Sequence, residues 1–428
     1  MRTRRHHTSS SSEAVPAADG STIDRRTVLK FGGASAAGLA AVAATEALGA
    51  RPAGATVDVH PGSYVVAANN ALAVWKNLAD AQCTGTNDHT TIQSAITAAT
   101  NSGANGSVVE LSEGDFYLGG SISIPSNVIL VGQGANATIL HFQPTTGSAI
   151  QIIGSGTSSH VQYSGLRALQ LLGSASQSTS PIGIDIQYAD NLTLEELRVY
   201  SFYGYGIRGI EWQDTEIRHC RFDWCGSPNG SGQAAVDINI SSTSDSDSLR
   251  FTDCTWETCR DRDVRIAGNG SANRSNKVRF RGCKFEQSTR VRGTERVLVT
   301  GAGDLINFEG CDFVVGGGFD TGWSTKLDSL LHIVQSTAVN VRDCLFTSQG
   351  AGGAQLLTSF LHFDGSSPNI GVLVDGCWWN VGSTTNYPAT AALVWSGTNN
   401  NAHNGAHAFV WDAHGSTVEQ SGSPTSTV

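Results

Sequence analysis

One six-residue phrase returns six times between Ile217 and Trp379. It reads Ile217-Arg218-His219-Cys220-Arg221-Phe222, then Phe251-Thr252-Asp253-Cys254-Thr255-Trp256 and Phe280-Arg281-Gly282-Cys283-Lys284-Phe285. It continues as Phe308-Glu309-Gly310-Cys311-Asp312-Phe313, Val341-Arg342-Asp343-Cys344-Leu345-Phe346 and Val374-Asp375-Gly376-Cys377-Trp378-Trp379. An earlier version, Leu194-Glu195-Glu196-Leu197-Arg198-Val199, has Leu in the Cys slot. From Cys to Cys the steps are 34, 29, 28, 33 and 33 residues. A phrase recurring at intervals of roughly 20–50 residues marks a solenoid, in which each unit packs mainly on its neighbours.

Apolar and polar residues alternate on each side of the His/Asp/Gly/Glu slot, as in half-buried strands. The slot residues tolerate left-handed backbone angles, so the slot reads as a tight corner. A third alternating segment follows each longer loop: Val236-Asp237-Ile238, Val264-Arg265-Ile266, Leu331-His332-Ile333, Leu361-His362-Phe363 and Leu393-Val394-Trp395. Three short strands per coil of roughly 30 residues predict an all-β parallel β-helix of about ten coils. Like residues then stack in ladders roughly 4.8 Å apart.

The first 55 residues are a different material. Asp24-Arg25-Arg26-Thr27-Val28-Leu29-Lys30 precedes a Gly/Ala-rich apolar run that ends at Ala53-Gly54-Ala55. This resembles a twin-arginine export signal with a small-residue cleavage site. The run is too short and too weakly hydrophobic for a membrane anchor. The expected organisation is therefore a signal over 1–55, one β-helix domain over 56–414 and a disordered Ser/Thr/Gly-rich tail over 415–428. The mature chain is expected outside the cell, with no membrane association. Without residues 1–55 it carries 20 basic and 33 acidic side chains. Such an acidic balance argues against general nucleic-acid binding.

Nine cysteines in an exported chain raise the question of disulfides. The ladder cysteines share their slot with Leu197 and read as small core residues. Cys225 and Cys259 each follow a ladder Cys by five residues in adjacent coils. For them a disulfide and a pair of free thiols both remain open.

Ahead of the coils, Gly85-Thr86-Asn87-Asp88 leads into a segment whose apolar positions are Ile92, Ala95, Ile96 and Ala99. Asp88 or Thr90 is the expected cap of this helix. The alternating runs Val108-Val109-Glu110-Leu111, Phe116-Tyr117-Leu118 and Val128-Ile129-Leu130-Val131 follow. From Gly85 to Leu140 the chain resembles the opening of pectate-lyase-like right-handed β-helix proteins, in which a short helix plugs the first coil. An open coil end exposes unpaired backbone and must be covered. The resemblance implies a right-handed helix and permits Ca²⁺ bridging of substrate to Asp residues. It does not fix the chemistry, because the fold hosts lyases, hydrolases, fructotransferases, epimerases and phage tailspikes.

If the strands alternate, Asp185, Arg208, Asp237, Arg265, His332 and His362 face outward on the third strands. Asp263, two residues before Arg265, is expected to face the same way. Three residues beyond the ladder Cys, Asp223, Glu257 and Glu286 face outward in consecutive coils. Neighbours there stand roughly 5 Å apart, a spacing suited to acid/base work. Eleven Lys and Arg side chains fall between Arg260 and Arg296, opposed by Asp261, Asp263, Glu286 and Glu295. Such a run suits a polyanionic ligand, since Arg pairs carboxylates and sulfates bidentately. Tyr203, Tyr205, Trp212, Trp224 and Trp323 are candidates for stacking on sugar rings. The His403/His407/His414 group lies in a Gly/Asn-rich loop with no helix to align it, and is not read as a metal site.

The leading expectation is cleavage of an acidic polysaccharide by β-elimination. Arg265 would neutralise a uronate carboxylate, and Asp237, Glu257, Asp223 and Lys284 would supply acid and base. Arg208, Trp224, Arg260, Arg262, Asp263, Glu286, Arg290 and Arg292 would bind substrate. Two alternatives stay open: glycosidic cleavage or transfer by paired carboxylates on a neutral glycan, and a non-catalytic, trimeric glycan-binding spike.

Overall fold

The computed structural model describes residues 63–101, 106–174, 180–227, 232–240, 245–268, 275–287, 295–301, 305–316, 327–349, 357–365, 369–370, 373–381, 391–397, 400–401 and 420–421. The expected export segment lies outside them, as does the tail apart from Gln420–Ser421. Those two residues add a parallel strand beside Leu393 and Val394, where disorder was expected.

Each coil lays one strand into each of three parallel sheets, and among the described residues these hold twelve, ten and twelve strands. The first two are joined at the expected corner. Glu196, His219, Asp253, Gly282, Gly310, Asp343 and Gly376 all have φ between 51° and 61°. Ala168, at φ 55°, occupies the same slot one coil earlier and fixes a register that the Leu166/Leu169/Leu171 pattern left ambiguous.

Inside, like side chains stack. Phe222, Trp256, Phe285, Phe313, Phe346 and Trp379 form one column, with ring centroids 4.6 to 5.2 Å apart. Phe251, Phe280 and Phe308 form a second, at 4.7 and 5.0 Å. Offset stacks at this separation add to the burial of each ring. The ladder thiols from Cys220 to Cys377 are buried, and each donates to a carbonyl of the previous rung at 3.5 to 3.6 Å. Cys225 and Cys259 behave alike. They are free and buried, and donate to Val199 O and Phe222 O, each at 3.4 Å. The disulfide alternative is thus set aside: both thiols point inward beneath their own rungs. Burial pushes the Cys225 thiol up to about 12.

Helix α1 (Ala73–Leu78) precedes α2 (His89–Asn101). Helix α2 buries Ile92, Ala95, Ile96 and Ala99 against the strands Ser63–Ala67 and Ser107–Leu111, as the apolar spacing implies. Asp88 does not cap it through its side chain. The carboxylate accepts from the amides of Thr84, Gly85 and Tyr117, tying the loop to the first coils. Among the described residues no helix is long and apolar enough to cross a membrane.

One expected face is wrong. Asp263 lies inside, fully buried, beside an equally buried Arg296 on the next rung. The third strand turns a corner here, so two consecutive residues point inward: Asp263 with Val264, Arg296 with Val297, Leu330 with Leu331, and Phe360 with Leu361. Simple alternation fails at such a bend. The Arg296 guanidinium also donates to the carbonyls of Cys259 and Asp261, so the charges are hydrogen-bonded as well as paired.

Three outcomes follow. Phe280→Ala removes a ring stacked on both sides and should cost about 3–5 kcal/mol in urea unfolding. Asp263→Ala leaves a guanidinium buried and unpaired and should cost about 3–5 kcal/mol, whereas Asp263→Leu with Arg296→Met should regain most of it. Since every cysteine is buried, a thiol reagent should label the native chain slowly and the urea-unfolded chain at once.

Candidate functional site

The outer face of the second sheet carries two columns of side chains. In one, Tyr117, His141, Leu172, Tyr200, Asp223, Glu257 and Glu286 follow rung by rung. In the other, Arg198, Arg221, Thr255, Lys284 and Asp312 do so. The three expected carboxylates therefore occupy consecutive rungs on one face. Like charges so close are unfavourable unless cations intervene, and the adjacent column supplies them. Asp223 is buried and accepts from Arg198 Nε at 2.8 Å and from Arg221 Nε at 2.8 and 2.9 Å. Arg221 Nη2 also reaches Glu257 Oε2 at 2.6 Å. Lys284 pairs with Glu286. The side chains of Glu257 and Glu286 remain 34% and 26% exposed, open to a ligand in a way Asp223 is not.

Two cavities flank this cluster. One, of about 600 Å³, runs along Tyr117, His141, Leu172 and Tyr200 to a wall made by Trp224 and Arg260. The other, of about 490 Å³, lies at the first corner, between Asn136, Arg198, His219 and Arg221. Trp224 is 39% exposed and has φ 55°. Arg260 packs its guanidinium 3.4 Å from the Tyr203 ring centre and 5.7 Å from that of Trp224. An aromatic plate beside a cation is a surface that sugar rings and acidic groups fit. A third cavity, of about 530 Å³ beside α2, is lined by Gln93, Gln151 and His160 among others and carries no carboxylate.

The remaining expected residues are elsewhere. Asp237 and Arg265 form a bidentate pair at 2.6 and 2.9 Å, and Asp185 and Arg208 another at 3.1 and 2.6 Å. All four stand in one column of the third sheet, with both carboxylates buried. Hydrogen bonding to Asp237 holds the Arg265 guanidinium above its ordinary value. Arg265 and Asp237 thus satisfy each other on a different sheet from the carboxylate trio, and the residues expected to act together are divided between two sheets. Arg262 pairs with Glu295. Asp263 is unreachable by substrate, for the reason given above. Trp212 is fully buried rather than a sugar platform, and Tyr203 lies beneath Arg260. Arg290, Arg292, Trp323 and the His403/His407/His414 group fall outside the described residues.

The sequence reading missed Arg198 and Arg221. Both sit one place after the ladder slot, so reading that outward position down the repeat would have found them. It also missed His141, which lies 2.7 Å from Asp115 and stacks on Tyr117 at 4.7 Å. This pair belongs to coils before the phrase becomes regular.

Calcium does not fit this face. It needs several carboxylate or carbonyl oxygens free to coordinate. Here the three charges of Arg198, Arg221 and Lys284 already neutralise those of Asp223, Glu257 and Glu286, so no excess of negative charge is left for a divalent cation.

The chain is similar in fold to solved β-helix proteins. It superimposes on ORF18 of Geobacillus virus E2 with TM-score 0.59 and 17% identity, covering 76% of this chain and 58% of the viral protein. The surface adhesin PfbA of Streptococcus pneumoniae gives 0.58 and 11%, over 74% of this chain and 81% of the adhesin. A tailspike of E. coli bacteriophage HK620, solved with a pentasaccharide, gives 0.51 and 15%, over 77% of this chain and 60% of the tailspike. The chain therefore spans less than two thirds of the viral protein and of the tailspike. At these identities the likeness shows the fold alone. No curated protein matches in sequence. The profile of one family covers residues 79–312, more than half of the chain. This protein belongs to the pectate-lyase-like family described as rhamnogalacturonase A/epimerase.

Proposed function

We propose that this is an exported carbohydrate-active enzyme that cleaves glycosidic bonds on the outer face of its second sheet, with Glu257 and Glu286 as its two catalytic carboxyl groups, one the acid/base and the other the nucleophile. The carrying observation is that Asp223, Glu257 and Glu286 follow one another on three rungs while only Asp223 is buried under two guanidiniums. Asp223 then serves as a fixed anion that orients Arg198 and Arg221. Glu257 and Glu286 are left within reach of a ligand. Adjacent rungs lie roughly 4.8 Å apart, near the separation of about 5–5.5 Å at which one carboxyl group acts as nucleophile and the other as acid. One carboxyl group protonates the leaving oxygen. The other attacks the anomeric carbon as that oxygen departs; the first then draws a proton from a water molecule that attacks the same carbon and releases the second carboxylate.

Sugar residues would lie along the column from Tyr117 to Glu286, with one ring against Trp224. The family membership and the pentasaccharide complex of the structurally similar tailspike support a glycan ligand. The Arg25-Arg26 segment supports export.

A second reading has its own observation. Arg198, Arg221 and Lys284 border the carboxylates and would suit a uronate, so β-elimination on an acidic glycan stays in view. Arg265 is not part of it.

A screen of the chain lacking residues 1–55 against neutral and acidic polysaccharides separates the readings. New reducing ends without a near-ultraviolet chromophore are expected. An unsaturated product would shift the assignment to elimination, and binding without either product, as in a trimeric spike, would end both catalytic readings. Glu257→Gln and Glu286→Gln should each lower kcat about 10²–10⁴-fold. Trp224→Ala should raise KM with kcat retained, while Asp237→Asn should lower stability and spare kcat.

A further inference from the structure

We propose that Asp328, His332 and His362, on the outer face of the third sheet, form a binding site for a divalent transition-metal ion of the zinc type. His332 and His362 are register partners on adjacent rungs. Their rings lie 4.5 Å apart and 2° from parallel. Asp328, at the start of the strand Leu327–Val334, places Oδ2 2.8 Å from Nδ1 of His362. One ring nitrogen from each His and one carboxylate oxygen all lie within 4.8 Å of one another.

One observation beyond the donor geometry points to a ligand. Nε2 of His332 is buried and has no hydrogen-bond partner. A buried polar atom left in that state is unfavourable until something occupies it. Two imidazoles and a carboxylate are a donor set for zinc, with one coordination position left open, whereas calcium prefers oxygen alone.

The ion takes the place of the proton between Asp328 and His362. Tetrahedral bonds of about 2.1 Å set two donor nitrogens about 3.4 Å apart, so the stacked rings must tilt toward each other to close on it. The two strands that carry them are fixed in register, so this adjustment is confined to side-chain torsions. The site lies on a different sheet from the carboxylate groove, and its test does not depend on glycan cleavage.

The test titrates the full chain, stripped by chelator, with Zn²⁺ in a calorimeter and with Co²⁺ in a visible spectrophotometer. One Zn²⁺ per chain, a Co²⁺ band of tetrahedral character and a Zn²⁺-dependent rise in Tm are expected. His332→Gln and His362→Gln should each weaken Zn²⁺ binding at least tenfold while the metal-free circular dichroism is kept. Should a histidine variant lose the fold, Asp328→Asn carries the same expectation, at a side chain 37% exposed. An intact chain with no saturable Zn²⁺ binding would overturn the proposal. So would binding that persists in the His332→Gln/His362→Gln double variant, or in Asp328→Asn where that double variant does not fold.

Discussion

Parallel pairing at roughly 4.8 Å per rung governs this molecule. Every side chain has its counterpart directly above and below. A position is therefore stable only if its residue tolerates neighbours of the kind the column holds. Aromatic rings do, as the column from Phe222 to Trp379 shows. Small thiols do as well, because each finds a carbonyl one rung back. Charges do so where the signs alternate or where a neighbouring column supplies the counter-charge. The column Asp185, Arg208, Asp237, Arg265 is the outward solution, and Asp263 with Arg296 is the inward one.

That rule explains the basic run between Arg260 and Arg296, and also what sets the carboxylate trio apart. Most of the described cations in that run have a specific partner: Arg262 with Glu295, Arg265 with Asp237, Lys277 with Asp247, Lys284 with Glu286, and Arg296 with Asp263. What looked like a footprint for a polyanion is largely the positive half of rung-to-rung pairing. Asp223, Glu257 and Glu286 break the alternation within their own column. They persist because the next column supplies the counter-charge laterally, from Arg198, Arg221 and Lys284. Three acids stacked in succession, with their counter-charge brought in from the side, are the departure from alternation on which the proposed function rests.

The repeat made much of this legible. Corner slots, aromatic and thiol columns, third strands and the apolar face of α2 all follow from spacing and residue type. Alternation also placed the trio on one outward face. It does not say which of three faces an outward residue belongs to, so Asp237 and Glu257 looked like neighbours although they lie on different sheets. Nor does it see a strand bend. At Asp263 and Val264 two successive side chains turn inward, and the parity of the whole segment before Arg265 is lost. His141 and Asp115 were invisible for another reason. They pair across coils that precede the regular phrase, where only the stacking register brings them together.

Trp224 shows how far the stack dictates the site. The residue after each outward acid or its counterpart is left-handed in three successive coils, with φ 62° at Ser201, 55° at Trp224 and 57° at Thr258. The turn is thus imposed by rung-on-rung pairing and not by the local sequence. Glycine or asparagine would take that conformation with less strain, and a bulky side chain held there costs about 1–3 kcal/mol. A tryptophan in such a slot would be sensible if it filled the core, but it is 39% exposed against Arg260 at the end of the cavity that leads to Asp223. Burial offsets only part of the strain, and under the proposed function a sugar ring stacked on the indole would offset the rest.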